Sequence, residues 1–259
     1  MGAIRDAIKS FDGADEAKKE LENQLDNMTA LAKAKADYFE LLLKEDLANA
    51  GVGSSKNIPV KFIIDFTRQT HAYASSSADA IASTITDAIG DFINGGQENV
   101  LKGVCSLMTK AVQALFASKE GGEDEAHFIS VFAEGRALVR LDLKAWKRFT
   151  NVKSLSQSAE QISAFVMCKS TINAEVLDYN TFIQLYQKNL YEKASGFTPE
   201  QISQQLDEID SIYKKFLANQ RSEPKARRAG INAPSSTELE SALMAVQAAE
   251  KALKLSTGV

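Results

Sequence analysis

The segment from His127 to Phe149 constrains the fold most, because apolar and polar residues alternate along it over a longer run than anywhere else in the chain. A period of two places successive side chains on opposite faces of an extended strand, whereas a helix repeats every 3.6 residues. Gly135 lies between the two halves and can adopt the positive φ of a tight turn. The segment is therefore predicted to form an antiparallel β-hairpin, with strands at about 128–133 and 137–146.

The two faces of this hairpin differ in polarity. One face carries Ile129, Val131, Ala133, Gly135, Ala137, Val139, Leu141, Leu143 and Ala145. The other carries Ser130, Glu134, Arg136, Arg140, Asp142 and Lys144, interrupted by the apolar residues Phe128, Phe132 and Leu138. Because a lone hairpin is marginally stable in water, the apolar face is predicted to pack on helices. Arg140 is then predicted to face solvent, where Arg140→Ala would hardly change stability.

Most of the remaining chain has the spacing of amphipathic helices. No Pro or Gly interrupts residues 14–50, whose apolar residues recur every three or four positions, and this predicts one helix of about 36 residues that ends at Gly51. The same spacing predicts further helices at 59–74, 77–94, 97–118, 156–169, 179–193, 198–216 and 237–255. For 59–74, the β-branched residues leave a strand as the alternative.

The predicted helices at 77–94 and 97–118 combine small residues with large apolar ones, so their axes can approach closely. They are predicted to form a central helical hairpin. The expected fold class is mainly α (α+β): a multi-helix bundle with one long N-terminal helix and a single antiparallel β-hairpin at about 127–149, packed on the central helical hairpin. We expect one helical domain over residues 1–259, with a surface linker at 219–236 before the C-terminal helix.

Composition and charge exclude several classes of function. The chain has 30 basic and 34 acidic residues, so no general attraction to nucleic acid is expected. It has neither an apolar signal segment nor a run approaching 18 apolar residues, so we expect a soluble protein that is cytoplasmic as made and reaches a membrane or the exterior only by a non-classical route. Cys105 and Cys168 lie in apolar patterns and are predicted to be reduced, buried thiols; they are also the candidate sites of S-acylation.

Recognisable catalytic motifs are missing from the sequence. There are two histidines, and neither HExxH, G-x-S-x-G nor CxxC occurs. Three carboxylates precede His127, but consecutive side chains point in different directions, so no metal site is predicted there. We expect a protein that is not an enzyme and that uses no cofactor.

Two clusters of cations are candidate contact sites. The only Trp stands among cations at the end of the predicted hairpin, a pattern typical of a membrane interface or a partner surface, although long Lys stems covering an ordinary sheet end would produce it too. The residues of this candidate contact are Lys144, Trp146, Lys147, Arg148 and Phe149. The predicted linker holds a second basic run, either a solvated linker or a contact for an anionic partner, at Arg221, Lys225, Arg227 and Arg228.

These features favour a non-enzymatic, soluble helical protein that becomes membrane-active in the manner of pore-forming toxins, with residues 77–118 inserting as an oligomer. The alternative is a self-assembling structural or interaction protein built on the terminal helices. A second alternative is a lipid-binding or S-acylated protein. The expected partners are other copies of the chain, so that a homo-oligomer forms, and a lipid membrane under the first hypothesis.

Overall fold

Five helices and four strands have both ends within the part of the chain that the structure describes, and residues 110, 112 and 114–116 are also helical. The computed structural model describes residues 15–52, 57–73, 78–94, 110, 112, 114–116, 122–134, 137–149, 161–173, 176, 178–192, 198–220 and 231–257. The elements are α1 (Asp15–Asn49), β1 (Val60–Tyr73), α2 (Ala78–Asn94), β2 (Glu123–Glu134), β3 (Ala137–Phe149), β4 (Gln161–Ile172), α3 (Tyr179–Glu192), α4 (Pro199–Gln220) and α5 (Ser236–Thr257).

The strands form one antiparallel sheet in the order β1-β4-β3-β2. The predicted hairpin is confirmed as β2 and β3, whose register runs from Glu123 opposite Arg148 to Glu134 opposite Ala137. The turn at Gly135 and Arg136 lies outside the described residues. A helical bundle with a single hairpin is nevertheless wrong, because the sheet has four long strands and the fold is α+β.

Strand β1 occupies a segment that was predicted to be helical, and β-bulges explain the error. The register shifts between Val60 and Phe62 and again between Ile63 and Asp65. Each extra residue moves the following side chains to the other face of the strand. As a result Val60, Ile63 and Phe66 all pack against α1, and their spacing of three imitates one face of a helix. The β-branched residues were the better indicator.

Strand β4 was also predicted to be helical, at 156–169, of which residues 156–160 lie outside the described part. Ten successive residues of β4, from Gln161 to Ser170, are buried. A central strand that is covered on both faces shows no alternation. Ile162 and Val166 pack towards α1, whereas Phe165 packs towards α2, so three residues whose spacing suits one side of a helix lie on two faces of a strand.

Helices cover both faces of the sheet. The face that packs against α1 and α5, here called the α1 face, includes Trp146, Val166 and Cys168. The opposite α2 face carries an apolar cluster to which α2 and the helical residues Val112 and Phe116 contribute. A third cluster joins α3 and α4 to one end of the sheet. The second arm of the predicted helical hairpin, at 97–118, lies mostly outside the described residues.

The long N-terminal helix is confirmed, with 35 residues. It packs along α5 in the opposite direction, since the Gln24 amide near its start donates a hydrogen bond of 2.9 Å to the carbonyl oxygen of Ser256, near the end of α5. Gly51 ends the helix as predicted, with a φ of 74°. A Cβ at this position would lie 2.6 Å from Pro59, so the connection to β1 requires glycine for both its conformation and its space.

Candidate functional site

A buried ion pair between two residues of β3 lies on the α1 face. Arg140 and Asp142 are both 0% exposed. The Arg140 Nε donates to Asp142 Oδ2 at 2.8 Å, and its Nη2 donates to Oδ1 at 2.7 Å. The pair is therefore bidentate, which is the strongest geometry available to a guanidinium and a carboxylate.

Groups outside β3 complete the hydrogen bonding of this pair. Arg140 Nη1 donates to the carbonyl oxygen of Ile58 at 2.7 Å and to Asn57 Oδ1 at 3.0 Å, which joins the chain ahead of β1 to β3. His127 Nε2 lies 3.1 Å from Asp142 Oδ1. Burial by itself would raise the pKa of Asp142, but the Arg140 charge and the hydrogen bonds from His127 and Arg140 outweigh it, so the pKa is below its ordinary value.

This cluster corrects the prediction that Arg140 and Asp142 face solvent. The alternation along β3 is real, but both of its faces are covered, because helices pack on each side of the sheet. Polar residues on one face of a strand indicate exposure to solvent only when no other part of the chain covers that face. The distant partners Asn57 and Ile58 carried no recognisable signal in the sequence.

The chemistry of the cluster is that of a satisfied structural network. Cys168 lies beside Asp142 on the neighbouring strand, and burial raises the pKa of its thiol above the ordinary range, which disfavours the reactive thiolate. His127 is on β2, two strands from Cys168, or about 10 Å at the usual strand spacing. That separation does not suit a Cys–His pair. Among the described residues, no three His, Cys, Asp or Glu side chains could hold a metal ion together.

Trp146 of the candidate contact site is fully buried in the cluster under α1. Its Nε1 donates to Glu123 Oε1 at 2.6 Å, and the Lys35 ammonium of α1 lies 5.2 Å from the indole centroid and 2.7 Å from the same Glu123 oxygen. Burial acts to raise the pKa of Glu123, but the hydrogen bonds from Lys35 and Trp146 and the nearby charges lower it overall. These contacts join α1, β2 and β3 within the chain.

The structure does not bring the five residues of that candidate site onto one surface. Lys144, Trp146 and Arg148 point to the α1 face, where the Lys144 ammonium lies 5.6 Å from the Phe39 ring centroid and Arg148 lies 3.9 Å from both Glu123 and Glu250. The alternation of a strand sends Lys147 and Phe149 to the other face. Lys147, whose side chain is 3% exposed, forms an ion pair of 3.4 Å with Asp124.

The remaining predicted site residues are placed as follows. The basic run Arg221, Lys225, Arg227 and Arg228 lies outside the described residues, as does Cys105. Cys168 is a free and fully buried thiol, so acylation there would require the α1 face of the sheet to open.

An exposed surface on α5 is the site that the sequence interpretation missed. The helix begins with a capping box, in which the Ser235 hydroxyl accepts from the amide of Glu238 at 3.2 Å and the Glu238 carboxylate accepts from the Ser235 amide at 2.7 Å. Val246 and Leu253 are buried against the core. The outer side of the same helix exposes 62% of Met244 and 77% of Leu255.

The sequence contains the signal for this second stripe. Met244, Ala248 and Leu255 are spaced by four and seven, as residues on one side of a helix are. They lie opposite the inward residues Val246 and Leu253, so α5 is apolar on two sides. Leu243, whose spacing places it on the same side of the helix as Leu239 and Val246, is 40% exposed.

A shallow groove of about 680 Å³ adjoins the stripe, between α5 and α1. Small side chains of both helices form its floor: Ala30, Ala34, Ala242 and Ala245. The polar residues Lys33 and Asp37 of α1 also line it. The stripe and the groove form one surface, here called the α5 surface, because Thr237 and Ser241 line the groove and also precede Met244 by seven and three residues on the same side of the helix.

Comparisons with known proteins identify no relative: no family model, no curated protein and no solved structure matches this chain. Among the described helices, none combines the length and the apolar character needed to cross a bilayer.

Proposed function

We propose that this protein is a non-enzymatic interaction protein that self-assembles through its terminal helices, with the α5 surface as the contact. The observation that carries the proposal is the exposure of Met244 and Leu255 on a helix whose other side is already buried in the core. Leu243, Ala245 and Ala248 are also exposed on this helix, and the group lies beside a groove. Grouped apolar surface of this kind is typical of protein contacts, whereas single exposed side chains need no explanation.

The occupant that fits this surface is a second copy of the chain. The exposed charges of α5 change sign along the helix, from Glu238 and Glu240 near its start to Lys251 and Lys254 near its end. When two copies of such a helix lie antiparallel, the acidic start of each faces the basic end of the other. In a two-fold symmetric dimer, both copies use the same surface for the contact.

The size of the surface limits the strength of the contact. With 22 residues, α5 is about 33 Å long, and a strip about 10 Å wide along it covers on the order of 330 Å². Stable complexes bury about 800 Å² on each partner, so the groove beside α5 must contribute and the association should be weak. Assembly is therefore expected to depend on protein concentration.

Sedimentation velocity over a series of concentrations tests the proposal. The wild-type protein should shift from monomer to dimer as the concentration rises, and Met244→Asp should suppress the shift, because the contact would bury an unpaired charge. Val176→Asp is the matched control, since Val176 is 51% exposed and belongs to the connection between β4 and α3 rather than to α5, and it should associate like the wild type. A wild-type protein that stays monomeric at every concentration contradicts the proposal.

A second candidate, membrane activity, is supported by α2. This amphipathic helix buries Ala82, Ile85 and Ile89 on the sheet and exposes Asp87 and Asp91. If α2 left the sheet, its apolar side could lie in a bilayer interface. Leakage of dye from neutral and anionic liposomes tests this candidate, and the absence of both leakage and binding rejects it.

A further inference from the structure

We infer that the second copy lies antiparallel across the α5 surface, related by a two-fold axis that lies midway between Met244 and Ala248 along the helix. This inference rests on the proposed self-association and adds the direction and register of the contact. Its basis is the position of charged and small residues along the outer stripe of α5.

The outer stripe has the three-and-four spacing of a helix seam. Its members are Thr237, Ser241, Met244, Ala248, Lys251 and Leu255. All six are exposed in the single chain, and Val246 and Leu253 lie on the opposite side of the helix. Two such seams pack when large side chains of one helix meet small ones of the other.

An antiparallel register satisfies this condition with the residues present. Placing Met244 opposite Ala248 of the second copy also places Thr237 opposite Leu255. The two helices run in opposite directions, so seven residues towards the start of one helix correspond to seven residues towards the end of the other. Large and small side chains then alternate along the seam. The same register brings Glu240 against the turn that carries Lys251 and Lys254, and the two-fold axis repeats these contacts.

A parallel two-fold arrangement fails on the same residues. Each position would face its own copy, so that Lys251 would meet Lys251 and Glu240 would meet Glu240. Like charges that face each other across a helix pair are destabilising, whereas opposite charges at such flanking positions select the orientation. In the described chain these groups also lack a competing ion pair: no salt bridge within 4.0 Å involves Glu240, Lys251 or Lys254.

Charge reversal tests the orientation. In the antiparallel dimer Glu240→Lys meets two lysines at each end of the contact and should raise the dimer Kd about tenfold, and Lys251→Glu combined with Lys254→Glu should do the same. An equimolar mixture of the two variants restores opposite charges, so it should dimerise as tightly as the wild type. An unchanged Kd for Glu240→Lys contradicts the register.

Disulfide trapping supplies a test that does not depend on the size of an electrostatic effect. Thr237→Cys and Leu255→Cys should each fail to cross-link with themselves, because identical positions lie about 27 Å apart in the antiparallel dimer. A mixture of the two variants, one carrying a tag that changes its mass, should give a disulfide-linked dimer of intermediate mass. The wild-type protein, oxidised under the same conditions, reports the background from Cys105 and Cys168.

The outcomes separate the inference from the proposed function. Cross-linking of each variant with itself, without mixed dimers, would establish a parallel contact and overturn the inference while self-assembly stands. Dimerisation that Met244→Asp abolishes, but with neither variant cross-linking, would leave α5 in the contact and overturn the register. A protein that stays monomeric in sedimentation overturns both.

Discussion

Strand β3 is buried on both faces, but different interactions fill the two. On the α2 face Val139, Leu141 and Leu143 are 0% exposed within an apolar cluster. On the α1 face Arg140 and Asp142 are equally buried but are held by a bidentate ion pair and by hydrogen bonds to Asn57 and Ile58. Burial therefore requires either an apolar side chain or a complete set of polar partners.

The difference predicts how substitutions on each face reduce the stability of the fold. An apolar face loses stability in proportion to the volume that a substitution removes, whereas a polar face loses stability when one partner is removed and another stays buried. The two faces can be compared on one strand, with the same backbone and the same hydrogen-bonded neighbours.

The largest effect is expected from Arg140→Ala. It leaves the Asp142 carboxylate buried without its counter-charge, and breaking a buried pair in this way costs about 3–5 kcal/mol. Urea unfolding monitored by circular dichroism measures the change. A loss below about 1 kcal/mol would show that water reaches this part of the α1 face.

The double variant Arg140→Met with Asp142→Leu tests whether the stability that Arg140→Ala loses is due to the unpaired Asp142 carboxylate. Replacing both charges by apolar side chains of similar size removes the orphaned charge, so most of the stability that Arg140→Ala loses should return. If the double variant is as unstable as the single one, the hydrogen bonds to Asn57 and Ile58 matter more than the charge pair.

A somewhat smaller effect is expected from Leu141→Ala on the α2 face. It removes a fully buried side chain and leaves a cavity, which costs about 2–4 kcal/mol depending on how far the surroundings relax. The same urea unfolding experiment measures it. A larger loss for Leu141→Ala than for Arg140→Ala would reverse the ranking of the two faces.

The smallest effect is expected at His71, on the α2 face of β1. Its ring stacks on Phe165 at a centroid distance of 6.2 Å, and burial lowers the pKa of His71 below its ordinary value. The unfolded chain therefore binds a proton more readily than the folded one, so stability should fall as the pH drops from about 7 through 6.5 towards the lower folded pKa.

Substitution of His71 by Gln tests this pH dependence. The difference in unfolding free energy between pH 7.5 and pH 5 should be smaller for His71→Gln than for the wild type. His127→Gln serves as a comparison, because that ring contacts the Asp142 carboxylate on the α1 face and does not stack on an aromatic side chain. Identical pH profiles for the wild type and His71→Gln would exclude a linkage at His71.

The sequence by itself determined the elements whose signals are local. The uninterrupted run at 14–50 predicted α1, and Gly51 predicted where it ends. The helical spacing at 198–216 predicted α4, and a local cap begins it, where the Thr198 hydroxyl accepts from the Gln201 amide at 3.3 Å. The alternation at 127–149 predicted the paired strands β2 and β3. A cap, a turn and a strand period each depend on residues within a few positions of one another.

Only the tertiary structure decided what covers each face. The bulges in β1 and the double burial of β4 removed the alternation by which a strand is recognised, so both were predicted to be helices. The partners of Arg140 lie more than 80 residues away, at Asn57 and Ile58. The exposure of Met244 could likewise not be distinguished from a core position, because a helix with apolar residues on two sides reveals its buried side only when it packs against the rest of the chain. Local patterns record the period of an element, but burial depends on contacts between distant parts of the chain.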